Sequence, residues 1–163
     1  AQSILLTTSK KLITEVNKKI DSLINTQKRK KIIQKSLESR GLFLKAKSIS
    51  EVIKIANRIA PEHLEIIGKN ANDIAREITN AGAIFIGENS PEVFGDYCAG
   101  PNHVLPTNGT AKYASPLGVY DFLKRTSVMK ISKKHAKELS SIASSLAECE
   151  GLHAHSESAK FRK

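Results

Sequence analysis

The apolar residues of this chain recur with two different periods, and the alternation of these periods predicts its architecture. Short continuous apolar runs are typical of buried strands and occur at residues 3–8, 42–44, 64–68, 82–87 and 128–131. Apolar residues three or four positions apart predict helices, which fall at residues 9–24, 28–39, 48–59, 70–79 and 133–150. Strands that alternate with helices favour an α/β fold with a mostly parallel sheet flanked by helices.

Capping residues indicate more exactly where two helices begin. Ser48 and Glu51 have the spacing of a capping box, in which each side chain takes a backbone N–H. Ser90 followed by Pro91 predicts a further helix, with the serine as cap and the proline at the first helical position.

The region beyond this helix start is predicted to be less regular. Residues 95–117 have no clear period, and residues 121–125 predict at most a helical turn. The polar residues 156–163, which follow the long helix, are expected to protrude.

Composition narrows the class of protein. A length of 163 residues and a hydrophobic fraction of 40% favour one domain with a core of its own and a small appendage. Two cysteines are too few for a disulfide framework and fit a reducing cytoplasm. Neither a membrane span nor a signal peptide is apparent, so we expect no membrane partner.

The formal net charge of +10 permits nucleic-acid binding, because a basic face gains free energy from counterion release. Lysines strongly outnumber arginines, however, and the densest basic run, residues 28–31, lies within an amphipathic helical pattern. A solvated helix face is therefore the favoured interpretation, and no nucleic-acid partner is expected. A basic nucleic-acid-binding or assembly domain without catalysis is the alternative.

Three places carry residues that could perform chemistry. Glu62 and His63 are adjacent after Pro61 and could supply two proton-transfer groups of different pKa. A surface pair at a helix end is the simpler interpretation of these residues taken alone. Asp96 and His103 share one segment, and both residue types suit zinc or manganese. A capping aspartate and a structural histidine explain that pair equally well.

The third place, at the end of the long helix, contains Glu150 and His155. A metal ligand so near the end of the chain would need support from another segment or from another subunit.

Five segments, taken in order, resemble the histidinol dehydrogenase family. They are Ala-Pro-Glu-His-Leu at 60–64, Gly-Ala-Ile-Phe-Ile-Gly at 82–87, Gly-Asp-Tyr at 95–97 leading into Gly-Pro-Asn-His-Val-Leu-Pro-Thr at 100–107, the segment 119–128, and Glu-Gly-Leu-His-Ala-His at 150–155. The resemblance covers essentially the whole chain, and its Gly-Asp-Tyr…Asn-His-Val-Leu-Pro-Thr motif is highly specific.

The resemblance implies an activity, cofactors and partners. The family is a cytoplasmic homodimer of histidine biosynthesis that contains one zinc ion per active site. It oxidises L-histidinol through the aldehyde to L-histidine with two NAD. Glu62 and His63 match its two bases, of which the glutamate activates water and the histidine takes the alcohol proton. His103 matches a position near the substrate.

The remaining matches concern the metal and the subunit partner. Asp96 matches a residue that is both a zinc ligand and a substrate-binding residue in the family. His155 matches another such ligand, which a swapped C-terminal tail contributes across the dimer, and Glu150 matches a substrate-binding carboxylate from the same tail.

Family members are longer and begin upstream of Ala1. Their other two zinc ligands, a glutamine and a histidine, and their NAD-contacting residues lie upstream, so the missing N-terminal part is an expected partner. We therefore expect residues 1–132 to form an incomplete Rossmann-like domain and residues 133–163 a C-terminal helix with a dimer-swapped tail. Alone, the chain is predicted to be inactive and to bind zinc poorly.

Overall fold

A computed structural model describes residues 2–161, which fall into two compact units. The first unit extends to Phe122 and the second begins at Leu123. The predicted boundary after residue 132, with an incomplete domain before it and a swapped tail behind it, stays a prediction. None of the helices in the described range has both the length and the apolar character that a membrane span needs.

The first unit alternates strands with helices, as the apolar pattern predicts. Its elements are β1 (Ile4–Thr7), α1 (Lys10–Ile24), α2 (Lys30–Arg40), β2 (Leu42–Lys45), α3 (Ile49–Ile59), β3 (His63–Ile66), α4 (Ala71–Arg76), β4 (Ala83–Ile86) and α5 (Glu92–Tyr97), followed by short 3₁₀ turns at Thr110–Lys112 and Val119–Phe122. The second unit contains α6 (Lys133–Cys149) and α7 (His153–Lys160).

The four strands form two small parallel sheets. Strand β1 pairs with β2, and β3 pairs with β4, with His63 opposite Ala83 and Ile66 opposite Ile86. Parallel neighbours need a crossover connection, which helices supply in both sheets. The predicted α/β class with parallel strands and flanking helices is confirmed, although the described strands make two sheets instead of one.

The buried apolar positions are mostly alanines, and the larger residues Ile66 and Pro106 are also buried. Ile84 and Ile86 of β4 each remain 37% exposed. A two-stranded sheet with few helices around it cannot cover every large apolar side chain. Apolar surface is consequently left open around both sheets.

Side-chain caps explain where several helices begin. The Ser48 hydroxyl accepts a hydrogen bond from the Glu51 N–H at 3.2 Å, as predicted. The Glu51 carboxylate accepts the N–H of Lys47 at 2.6 Å, one residue earlier than the capping box predicts. The predicted serine cap of α5 is wrong, because Pro91 takes the cap position without a side-chain hydrogen bond.

Two further predictions are wrong. Residues 128–131 form no strand, and Val128 is 89% exposed. An apolar run becomes a strand only beside a strand edge, and no strand is found in the second unit between Leu123 and Phe161.

Residues 156–161 do not protrude as a tail. They belong mainly to α7, which packs on α6 with Ser156 only 1% exposed. The Ser140 hydroxyl of α6 donates to the Ala159 carbonyl at 2.7 Å, and the Lys160 ammonium lies 2.8 Å from Glu148. Small side chains allow these two helices to approach closely. Residues 162 and 163 lie outside the described residues.

Candidate functional site

The turn before β3 places the Glu62–His63 pair at the start of that strand. Ala60 ends α3 in the left-handed conformation, with φ 51° and ψ 63°, and Pro61 follows it. The Glu62 carbonyl accepts the Ala83 N–H at 2.9 Å, which ties this turn to the beginning of β4. A Cβ atom on Gly82 would lie 2.5 Å from the same carbonyl oxygen, so glycine permits the close approach.

Helix α5 is attached to β3 by the side chain of Glu65, a residue that the sequence motifs do not single out. The Glu65 carboxylate accepts the backbone N–H of Glu92 at 2.7 Å. This bond satisfies one of the free N–H groups at the helix start, which explains why no serine cap is needed. His63 and Glu65 are two residues apart on a strand and therefore share a face, so α5 covers the face that carries His63.

A second contact sets how closely α5 approaches the strands. A Cβ atom on Gly95 would come within 2.6 Å of the Phe85 ring, so only glycine allows the observed approach. The Phe85 ring also lies beside the His63 imidazole, with 5.9 Å between the ring centroids. Phe85 thus contacts both the helix and the imidazole.

The structure brings His63, Asp96 and His103 together in the first unit. The His63 Nε2 atom lies 3.3 Å from Asp96 Oδ1, and the His103 Nδ1–H donates to the same oxygen at 2.7 Å. The other ring nitrogen of His63, Nδ1, lies 3.7 Å from Oε1 of Glu92. Two carboxyl groups therefore flank one imidazole.

The electrostatic environment shifts the pKa values of the two carboxyl groups, Glu92 and Asp96, in opposite directions. Desolvation by itself would raise the pKa of Asp96, but hydrogen bonds with Glu92 and His103 outweigh it and lower that pKa below 3.8. The hydrogen bond with Asp96 and then desolvation raise the pKa of Glu92 above 4.5.

The donor set of this cluster fits a zinc ion. One ligand atom each from His63, Glu92 and Asp96 lies within 4.8 Å of the others. Imidazole nitrogen and carboxylate oxygen are both ordinary zinc ligands. The Nε2 atom of His63 is buried and has no hydrogen-bond partner among residues 2–161, which is unusual for a buried polar atom. A polar or cationic group beside Asp96 would satisfy it.

The other predicted residues have different surroundings. Glu62 precedes His63 directly, and its side chain is exposed. Asp96 lies on α5 and not in an irregular loop, because the helix continues to Tyr97. In the second unit, Glu150 follows the last residue of α6, and His155 lies exposed on α7.

Sequence reasoning missed Glu92. Its spacing of four residues from Asp96 would place both on one face of a helix, but the predicted helix did not extend past residue 95. The role of Glu65 gave no sequence signal, since only the approach of α5 brings its carboxylate to a helix start.

Comparison with known proteins agrees with the motifs of this site. The histidinol dehydrogenase family model matches residues 1–163. Histidinol dehydrogenases of Dechloromonas aromatica (strain RCB) and Burkholderia lata are each 51% identical over 162 residues. The match covers 99% of this chain and 37% of each relative.

A solved structure extends the similarity to the fold. The crystal structure of histidinol dehydrogenase from Elizabethkingia anophelis is 35% identical, with a TM-score of 0.88 over 99% of this chain and 37% of that one. The chain thus spans a little over a third of the length of the relatives it matches. A match over the whole chain, in sequence and in fold, shows that this chain belongs to the histidinol dehydrogenase family.

Proposed function

We propose that this chain supplies catalytic and zinc-binding residues to a histidinol dehydrogenase, which oxidises L-histidinol to L-histidine with two NAD in histidine biosynthesis. The observation that carries the proposal is the placement of His63 Nε2 3.3 Å from the carboxylate of Asp96. This arrangement sets a proton acceptor beside an anionic metal ligand, in a chain whose relatives carry that enzyme's name.

His63 acts as the base that takes the alcohol proton. Its Nε2 atom is buried and makes no hydrogen bond with the described residues, so it can accept a proton from a hydroxyl group. Glu62 is the second base and activates the water that attacks the aldehyde. The exposed side chain of Glu62 fits this role, because a group that activates water must be reached by water.

Asp96 and His155 hold the zinc, together with ligands that are not among these 163 residues. When bound, the zinc would position the substrate. The low pKa of Asp96 keeps it ionised and ready to bind a cation. His103 donates to Asp96 Oδ1 at 2.7 Å, which orients the carboxylate and supports a position for His103 near the substrate.

The remaining parts of the proposal concern assembly. Glu150 binds the cationic substrate, and the tail that carries it and His155 crosses to a second subunit of a cytoplasmic homodimer. We propose that residues 1–132, which contain the parallel strand pairs, belong to an incomplete Rossmann-like domain. We propose that NAD binds residues outside this chain.

A chimeric enzyme tests this function. This chain replaces the matching segment of the Dechloromonas aromatica histidinol dehydrogenase, with which it is 51% identical. We expect NADH formation from L-histidinol, loss of that activity in His63→Asn, and no activity from the 163 residues alone. A folded, zinc-loaded chimera that forms no NADH would refute the proposal.

A further inference from the structure

Each ring nitrogen of His63 lies beside a carboxyl group. Of these two carboxyl groups, only the one of Asp96 belongs to a proposed zinc ligand. Nε2 faces Asp96 at 3.3 Å, while Nδ1 faces Glu92 at 3.7 Å. A base that accepts a proton at Nε2 needs its own ring proton at Nδ1, and a partner at Nδ1 selects that tautomer.

We propose that Glu92 is a positioning residue for His63, whose carboxyl oxygen accepts the Nδ1–H and leaves Nε2 free toward Asp96. This inference rests on the proposed function, and it adds a residue that the resemblance does not assign. Glu92 does not contact the substrate in this role, since it acts through the imidazole.

The position of Glu92 is determined independently of His63. Its own backbone N–H donates to Glu65, which lies two residues after His63 on β3. Three residues later on α5, Gly95 lies against Phe85, and that ring also contacts the imidazole. The helix start and the imidazole are therefore held by the same pair of strands, which is the support a positioning residue requires.

The distance of 3.7 Å is about 0.7 Å longer than an ordinary N–H···O hydrogen bond of about 3.0 Å. Catalytic hydrogen bonds are often long without substrate and shorten when it binds. Glu92 begins α5 and its side chain is 39% exposed, which leaves this side chain room to rotate toward Nδ1.

Glutamine can take the place of the carboxyl group in this role, because its amide oxygen also accepts the Nδ1–H.

Two substitutions of similar size separate positioning from simple packing. Glu92→Gln retains an acceptor for the Nδ1–H of His63, whereas Glu92→Met fills the same space without one. Glu88→Met is the matched control, since Glu88 is exposed four residues earlier. In the active chimera we expect kcat to fall about 10- to 100-fold in Glu92→Met, with the KM for histidinol changed less than about threefold. Glu92→Gln and Glu88→Met should stay within about threefold of the unsubstituted chimera.

A spectroscopic readout on the 163-residue chain tests the same inference without activity. Long-range ¹H–¹⁵N spectra of the uncharged His63 ring report which nitrogen carries the proton. We expect a smaller Nδ1–H fraction in Glu92→Met than in the unsubstituted chain or Glu92→Gln. Equal fractions in all three, or an unchanged kcat in Glu92→Met, would overturn the role of Glu92. An inactive unsubstituted chimera would refute the proposed function, while the spectra would still decide whether Glu92 orients His63.

Discussion

The carboxylate of Asp96 accepts a hydrogen bond from His103 at 2.7 Å and faces the buried Nε2 atom of His63 at 3.3 Å. A single oxygen atom, Oδ1, makes both approaches. This oxygen connects a residue of a strand, a residue of a helix and a residue of the following loop, so its removal should affect metal binding and catalysis together.

We expect Asp96→Asn to lower the zinc affinity of the chimeric enzyme by at least about 100-fold, because a neutral amide is a poor zinc ligand. NADH formation should fall in parallel. Zinc content after dialysis, measured by mass spectrometry, provides the test. Asp73→Asn is the control, since the side chain of Asp73 is 79% exposed and pairs with Arg76 at 3.8 Å on the surface of α4. Full zinc retention in Asp96→Asn would rule out Asp96 as a ligand.

Gly95→Ala tests the close approach of α5 to β4. The new methyl group would meet the Phe85 ring at 2.6 Å, so we expect the free energy of unfolding to fall by about 1–3 kcal/mol, despite the higher helix propensity of alanine. Urea unfolding of the chain measures this loss. Gly118→Ala is the control, because its nearest neighbour would be 3.9 Å away. Equal stability of both variants would show that α5 does not need this contact.

Asn57 holds the segment that leads into β4. Its side chain donates to the Glu77 carbonyl at 3.0 Å and accepts the N–H groups of Thr79 and Asn80 at 2.8 and 3.1 Å. Asn57→Ala leaves these backbone groups without their partner, and we expect a loss of about 1–3 kcal/mol in unfolding free energy. Asn57→Asp retains the acceptor only and should lie between alanine and the parent chain. The idea fails if alanine costs less than about 0.5 kcal/mol.

The pairing of α6 with α7 should weaken in acid. A hydrogen bond from Lys160, then one from Ser156, lowers the pKa of Glu148 in the folded chain below 4.5. A lowered folded pKa contributes stability above the unfolded value, and this contribution is lost as pH falls through the folded pKa. We therefore expect the thermal unfolding midpoint of the second unit to decrease when the pH is lowered below about 4.5.

Glu148→Gln should remove part of this acid dependence, and Glu138→Gln on the same helix should leave it unchanged. Circular dichroism melts at a series of pH values compare the three chains. Identical acid dependence in all three would exclude Glu148 as its source.

Local patterns predicted the elements of this chain well wherever neighbouring residues decide the conformation. The strands at β1–β4 and the long helix α6 follow from their own apolar periods, and Ser48 caps α3 through atoms three residues away. Predictions that needed a distant partner were wrong. Ser90 does not cap α5, and residues 128–131 form no strand, because Glu65 replaces the cap and no strand edge is available between Leu123 and Phe161.

The sequence alone determined which residues could carry the chemistry and which family they resemble, since both depend on residue types in a fixed order. It pointed to His63 through the Pro-Glu-His segment, and to Asp96 and His103 through the Gly-Asp-Tyr…Asn-His motif. Only the tertiary structure decided that these three side chains meet and that Glu92 lies at the other nitrogen of His63. The physical reason is that strand register and the packing of Gly95 on Phe85 set these distances, and both are contacts between segments far apart in the chain.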